Sequence, residues 1–289
     1  MREISANAVQ EAVRDLCVRI NLKLSEEVEA GILDAAEKEE SESGKSVLAI
    51  LKKNLEVAER TSVPICQDTG MAVVFVQLGQ EVHITGGGLT EAIQEGVRRG
   101  YTEGYLRKSV VSDPIERINT GDNTPAMIYY DIVPGDAFTL RLTAKGFGSE
   151  NTSRVVMLKP ADGIEGVKEA VLQTVQNAGP NACPPMFVGV GIGGTFEKAA
   201  MLAKLALLKD GDETAESLTA GLSHDADYVK PLEEELLQKI NALGIGPAGL
   251  GGRTTAIAVH VLTAATHIAG LPMAVNICCH VNRHGKVQL

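Results

Sequence analysis

Pro64 separates two textures of sequence, and that change constrains the fold more than any other feature of the chain. Before it, apolar residues recur at helical spacing. Val47, Ile50, Leu51, Leu55 and Ala58 fall on one helix face with Glu and Lys between them. The polar break Ser41-Glu42-Ser43-Gly44-Lys45-Ser46 separates two such helices, and Ser46 is placed to cap the second. Residues 1 to about 62 therefore read as a helical layer. Beyond Pro64 come shorter apolar runs bounded by Gly, Pro, Asn and Asp, as strands are. Residues 72–76 and 82–85, split by Gly79-Gln80, read as one hairpin. Residues 127–133 and 138–143, flanking Pro134-Gly135-Asp136, read as a second. Gly86-Gly87-Gly88 opens a helix running to about Gly100. The pattern further predicts helices at about 163–178, 195–208 and 254–269, and a strand at about 186–190. The polar stretch 210–227 reads as a surface excursion. The expectation is a mixed α/β fold of the α+β kind: a helical N-terminal layer, then antiparallel or mixed sheets flanked by helices, in one interlocked domain over 1–289.

Composition narrows the class of function. A chain of 289 residues buries a substantial core, and with 3% aromatic residues and no Trp that core has to be aliphatic. A net charge of -10 argues against nucleic acid or an anionic membrane as partner, since either needs a basic face. The N-terminus has no basic stretch leading into an apolar one, and no apolar run approaches the roughly 18 residues that span a bilayer. A cytoplasmic protein is expected. Five cysteines, an odd number at irregular spacing, make a poor disulfide framework and suit a reducing compartment.

Three of those cysteines sit in loop-like segments beside polar residues: Cys66 in Pro64-Ile65-Cys66-Gln67-Asp68-Thr69-Gly70, Cys183 in Asn181-Ala182-Cys183-Pro184-Pro185, and Cys279 in Asn276-Ile277-Cys278-Cys279-His280. Three thiolates can hold one metal cluster and leave a coordination position open. Cys17 lies within the apolar periodicity of the first helix and reads as core, and one of the pair Cys278 and Cys279 reads as packing. A cysteine hydrolase with His267 or His280 as base has no local signature in its favour, while the i, i+4 spacing of His280 and His284 beside Cys279 suggests a zinc site. Gly189-Val190-Gly191-Ile192-Gly193-Gly194 matches the dinucleotide-binding pattern, but no acidic residue ends a second strand at the required distance. Those glycines read instead as a tight turn with close backbone approach to a ligand. His280 and His284 read as surface residues. The polar run from Arg107 to Pro125 and the segment Lys145-Gly146-Phe147-Gly148-Ser149-Glu150-Asn151 read as binding loops, the latter offering backbone N–H groups to an anion.

Taken with 117–125, 145–151, Cys183-Pro184-Pro185 and Ala265-Thr266-His267-Ile268-Ala269 ahead of Cys279-His280, the Ile65-Cys66-Gln67-Asp68-Thr69-Gly70 segment makes the chain resemble, over nearly its whole length, a known family. The resemblance is to the alpha subunit, or N-terminal half, of class I fumarate hydratases and L(+)-tartrate dehydratases, which are iron-sulfur hydro-lyases. The resemblance implies a 4Fe-4S cluster on Cys66, Cys183 and Cys279, with Cys279 preferred to Cys278 by its distance from His267. It implies reversible hydration of fumarate to L-malate, or else dehydration of tartrate, with the open iron as Lewis acid. Asp68 and His267 are the implied catalytic residues. Gln67, Asp68, Arg107, Gly146, Gly148 and His267 are the implied contacts to a small dicarboxylate. The family's catalytic base lies in a C-terminal domain that this sequence does not include, so a separate beta subunit and a hetero-oligomer are expected. A cluster carrier without catalysis is the reading from another class.

Overall fold

The computed structural model describes residues 1–289 apart from 212, 220, 222, 224 and 225. In chain order the elements begin β1 (Arg2–Ser5), α1 (Ala6–Leu22), α2 (Glu26–Lys38), α3 (Glu42–Thr61), β2 (Met71–Gly79), β3 (Val82–Thr85), α4 (Leu89–Glu103), β4 (Met127–Val133), β5 (Phe138–Lys145) and α5 (Phe147–Glu150). They continue with β6 (Arg154–Leu158), α6 (Gly163–Ala178), β7 (Met186–Gly194), α7 (Phe196–Ala206), α8 (Ala215–Thr219), α9 (Val229–Asn241), β8 (Ala256–Thr266), β9 (Leu271–Cys278) and β10 (His284–Gln288). Helices and strands are mixed as the sequence leads one to expect. The chain divides into two compact units, each assembled from discontinuous segments: Met1–Ser25, Leu55–Phe147 and Arg283–Leu289 form the first, Glu26–Asn54 and Gly148–Asn282 the second.

The first unit is built on a four-stranded sheet in the order β10-β5-β2-β4, with β1 and β3 as a separate parallel pair. Neither expected hairpin forms. β2 pairs antiparallel with β5 and parallel with β4, so it separates the two strands read as partners, and β3 pairs with β1 instead. Residues 72–76 of β2 are buried throughout, and a strand so placed needs hydrogen-bond partners along both edges. The 134–137 turn steps past the end of β2, where Gly79 donates to the Ala137 carbonyl at 2.8 Å and Glu81 to the Gly135 carbonyl at 2.9 Å. One face of the sheet packs on α1 and α4 through Val9, Val13, Cys17, Ile93, Val97 and Tyr101. Cys17 is fully buried, as its place in the helical pattern predicts, and burial pushes its thiol up to about 12.

The second unit holds the sheet β6-β9-β7-β8, mixed in direction: β7 runs parallel to β8 and antiparallel to β9. α6 and α9 cover one face through Val171, Val175, Leu232 and Leu236, against Val188 and Val190 of β7. α7 covers the other. The glycines of the dinucleotide-like pattern are part of β7, not of a turn. Gly189 and Gly191 alternate with the valines and so face α7, where a Cβ on either would strike the carbonyls of Ala203 and Ala199. They permit close helix-to-sheet packing, not the approach of a ligand. The expected helix at 254–269 is strand β8, and the expected short strand at 186–190 runs on to Gly194.

Two details of α3 differ from expectation. The helix starts at Glu42, with the Ser41 hydroxyl accepting from the Gly44 amide at 3.3 Å, whereas Ser46 lies inside and donates to the Glu42 carbonyl at 2.9 Å. Leu48 is buried where Ile50 was expected, and Ile50 is exposed. His284, read as a surface residue, is buried in β10, and His280 is half-buried. Of the polar stretch 210–227, part lies outside the described residues; what is described includes α8, with Ala215, Leu218 and Thr219 buried. No described helix is long and apolar enough to cross a membrane.

Candidate active site

In the first unit, the loop between α3 and β2 carries Cys66, Gln67 and Asp68. Cys66 and Asp68 are half-buried and Gln67 is exposed. The loop is stitched to its surroundings by donors aimed at successive carbonyls. Arg283 Nη1 donates to the Asp68 carbonyl at 2.6 Å, and the Tyr101 hydroxyl lies 2.8 Å from the Thr69 carbonyl and 3.0 Å from that of Gly70. Asn123 Nδ2 also donates to Gly70, at 3.2 Å. Burial pushes the Tyr101 phenol far up from its ordinary value, so it serves here as a donor.

The Asp68 side chain is fixed as well. Oδ1 accepts from the Gly70 amide at 3.0 Å and Oδ2 from the Phe147 amide at 3.1 Å. In the 145–151 segment it is the amide of Phe147, not of a glycine, that points at this carboxylate. Gly146 is buried between two polar groups: a Cβ there would lie 3.3 Å from Asp68 Oδ2 and 3.4 Å from Arg283 Nη2. Gly148 is exposed, with open space beside it. Arg107, also exposed, donates from Nη1 to Gln67 Oε1 at 3.0 Å, and its main chain is tied to the Thr69 hydroxyl through both amide and carbonyl. Gln67, Asp68, Arg107 and Gly146 are therefore assembled within one unit.

The second unit assembles Cys183 with the Cys279-His280 pair. His280 Nδ1 donates to the Cys183 carbonyl at 3.0 Å. Cys183 is exposed and adopts a left-handed backbone (φ 52), a conformation that costs a non-glycine residue energy. Cys279 is half-buried just beyond the end of β9, while Cys278, the last residue of that strand, is 2% exposed. The packing member of the pair is thus Cys278. His267 is exposed in the turn joining β8 to β9; its Nδ1 accepts from the Ala269 amide at 3.1 Å, which leaves Nε2 to carry the proton in the neutral ring. Cys66 belongs to the first unit, Cys183 and Cys279 to the second. Within either unit, no three His, Cys, Asp or Glu side chains among the described residues are gathered as a metal site. The donor chemistry nonetheless fits an iron-sulfur cluster: all five cysteines are free thiols, and the three in loops are the accessible ones.

Sequence reasoning missed Arg283 and Tyr101, whereas Asn123 lies in a run read as a binding loop. Nothing local marks Arg283 or Tyr101, because each acts on a backbone group distant in sequence; Arg283 and Asp68 lie 215 positions apart.

Residues 10–288 match the fumarate hydratase (Fumerase) family. A chain of Methanocaldococcus jannaschii, provisionally named an L(+)-tartrate dehydratase subunit alpha, is 40% identical over 281 residues, covering 95% of each chain. The L(+)-tartrate dehydratase subunit alpha of Escherichia coli (strain K12) is 30% identical over 290 residues, covering 99% of this chain and 92% of that one. That of Shigella boydii serotype 4 matches to the same extent. The protein belongs to the fumarate hydratase family and is a hydro-lyase.

Proposed function

We propose that the chain is the alpha subunit of a 4Fe-4S-dependent hydro-lyase of hydroxylated four-carbon dicarboxylates, acting in the cytoplasm with a beta subunit. The name shared by the relatives favours L(+)-tartrate as substrate. The family description favours the second reading, reversible hydration of fumarate to L-malate. The observation that carries the proposal is the sorting of the cysteines by access: Cys66, Cys183 and Cys279 reach solvent in loops while Cys17 and Cys278 are sealed in the core. Cys66, Cys183 and Cys279 would hold the cluster, which when bound supplies a Lewis-acidic iron to polarise the departing hydroxyl.

The remaining work falls to side chains. Arg107, its guanidinium oriented by Gln67, would take one substrate carboxylate through paired donors. The Gln67 amide and the segment at Gly146 and Gly148 would line the same carboxylate. Asp68, its two oxygens each fixed by a backbone amide, would receive the hydroxyl proton or return one to it as water leaves. His267 would donate from Nε2 to a carboxylate or hydroxyl oxygen. The base that removes the proton from the adjacent carbon would come from the beta chain.

Competing-substrate kinetics on the co-expressed alpha and beta chains, prepared without oxygen, test the reading. Preferential formation of oxaloacetate from L(+)-tartrate supports the first substrate and interconversion of fumarate and L-malate the second. Absence of both activities in protein of full iron content overturns the proposal.

A further inference from the structure

We infer that Arg283 is a positioning residue for the Asp68 carboxylate, acting through the main chain of the 66–70 loop and not on the substrate; the inference rests on the hydro-lyase reading above. Arg283 heads the largest fully buried side chains among the described residues, at 1% exposed. It has no carboxylate partner among the described residues. Its Nη1 divides between the Asn21 side chain at 3.1 Å and the Asp68 carbonyl at 2.6 Å, and its Nε is buried without any hydrogen-bond partner. A guanidinium sealed from water with an orphaned donor is costly, and a chain selected for stability alone does better with an apolar residue there. What the arginine supplies is the hold on Asp68.

The geometry around that hold is specific. Tyr101 and Asn123 fix the carbonyls of Thr69 and Gly70, and the Asn21 carbonyl accepts from the Ile65 amide at 2.9 Å, so both flanks of the loop are pinned by other residues. The peptide that follows Asp68 is held by Arg283. Without it, that peptide is free to rotate, and the carboxylate swings away from the Gly70 and Phe147 amides. Arg283 Nη2 also lies 3.4 Å from the position a Cβ of residue 146 would occupy, and Asp68 Oδ2 lies 3.3 Å from it, so the guanidinium stands beside the carboxylate's slot as well as holding its peptide. Displacing a reacting group by about 1 Å costs on the order of a hundredfold in rate.

Two readouts on the anaerobically prepared alpha and beta chains test this, comparing wild type with R283M and R283K. The first is backbone hydrogen exchange in peptides covering 64–72 and 145–150. Both variants are expected to speed exchange there by tenfold or more, with β7 to β9 unchanged. The second is steady-state kinetics with L(+)-tartrate and with fumarate. A fall in kcat of about tenfold to hundredfold at nearly constant KM is expected in R283M, with partial recovery in R283K, which keeps the charge but has only a single donor group. Unchanged exchange in the two peptides overturns the inference, as does a change spread evenly over the first unit. Should R283M fail to fold, R283K carries both readouts. Faster local exchange with unchanged kcat leaves the brace in place but removes Asp68 from the reaction. A wild-type protein inactive on both substrates sinks the functional reading, and the exchange arm then decides the brace alone.

Discussion

Asp68 receives an amide on each carboxylate oxygen, from Gly70 and from Phe147, and that arrangement distinguishes a carboxylate from its amide analogue. In Asp68→Asn, one of the two oxygens becomes an NH2 group facing a backbone N–H, so the side chain loses an acceptor and its charge together. Turnover should fall by about 10²- to 10⁴-fold, the range for removal of a positioned acid or base, with iron content unchanged. An Asn variant of normal kcat would show that the carboxylate takes no part. The adjacent cysteines lend themselves to a similar contrast. Cys279→Ser should lower iron and acid-labile sulfide per chain, because the thiol is accessible and lies outside the strand. Cys278→Ser should retain both, but lose about 1–3 kcal/mol of stability by placing a hydroxyl in the core. Metal analysis and denaturant unfolding of the two variants separate these outcomes; loss of iron in both would mean that the packing assignment fails.

At the scale of elements, the corner between α2 and α3 shows how a charged group can hold irregular chain. Glu39 is 2% exposed, and its carboxylate accepts from the amides of Glu40, Ser41, Arg253 and Thr254 at 2.9–3.1 Å. Burial alone would push its pKa up, but the amides of Arg253, Ser41 and Thr254 outweigh it and bring it down to about 2. A folded-state value below the ordinary carboxylate range means that this stabilisation is complete near neutrality and fades as pH falls toward about 2. Wild type should exceed Glu39→Gln by up to about 3 kcal/mol at pH 7, and the gap should narrow steadily on acidification, as followed by urea unfolding from pH 7 to 3. A gap independent of pH would remove the charge from the explanation. The same corner marks what the sequence makes legible. Helices α1, α4, α6 and α7 follow from their own periodicity, since each buries one stripe. β8 does not, because Ala256-Ile257-Ala258-Val259 suits either a helix or a strand, and pairing along β7 decides. The hairpins fail for a related reason: turn residues specify a reversal but not which strand lies between its arms. Gln67, Asp68 and Arg107 were legible as loop residues because costly polar groups cluster in short loops, but only the family resemblance joined the two loops as one group. The donors behind them were not, since a buried Arg or Tyr bonding a distant carbonyl leaves no pattern in its own neighbourhood.

For the molecule as a whole, an aliphatic core in each unit and a charge of -10 describe an acidic protein whose proposed site takes a substrate of the same sign. Such a site needs concentrated local positive charge, because the overall field repels a dicarboxylate. Arg107 is the exposed cation among the site residues assembled in the first unit, while Lys145 and Arg283 are sealed, each 1% exposed, and turned to backbone carbonyls. One accessible guanidinium binds one carboxylate. A substrate with two carboxylates then needs a further cation, and under the proposed function the beta chain is its source. The alpha chain purified alone and loaded with iron should therefore turn over less than about 1% as fast as the alpha and beta pair, and beta chain added in increasing amounts should restore the rate with saturation. Raising ionic strength should weaken substrate capture by the pair, seen as a rise in KM with kcat little changed, since the attraction is between charges that salt screens. Full activity from the alpha chain by itself would mean that the second carboxylate and the carbon-bound proton are both handled by residues of this chain, with His267 the first candidate for the base.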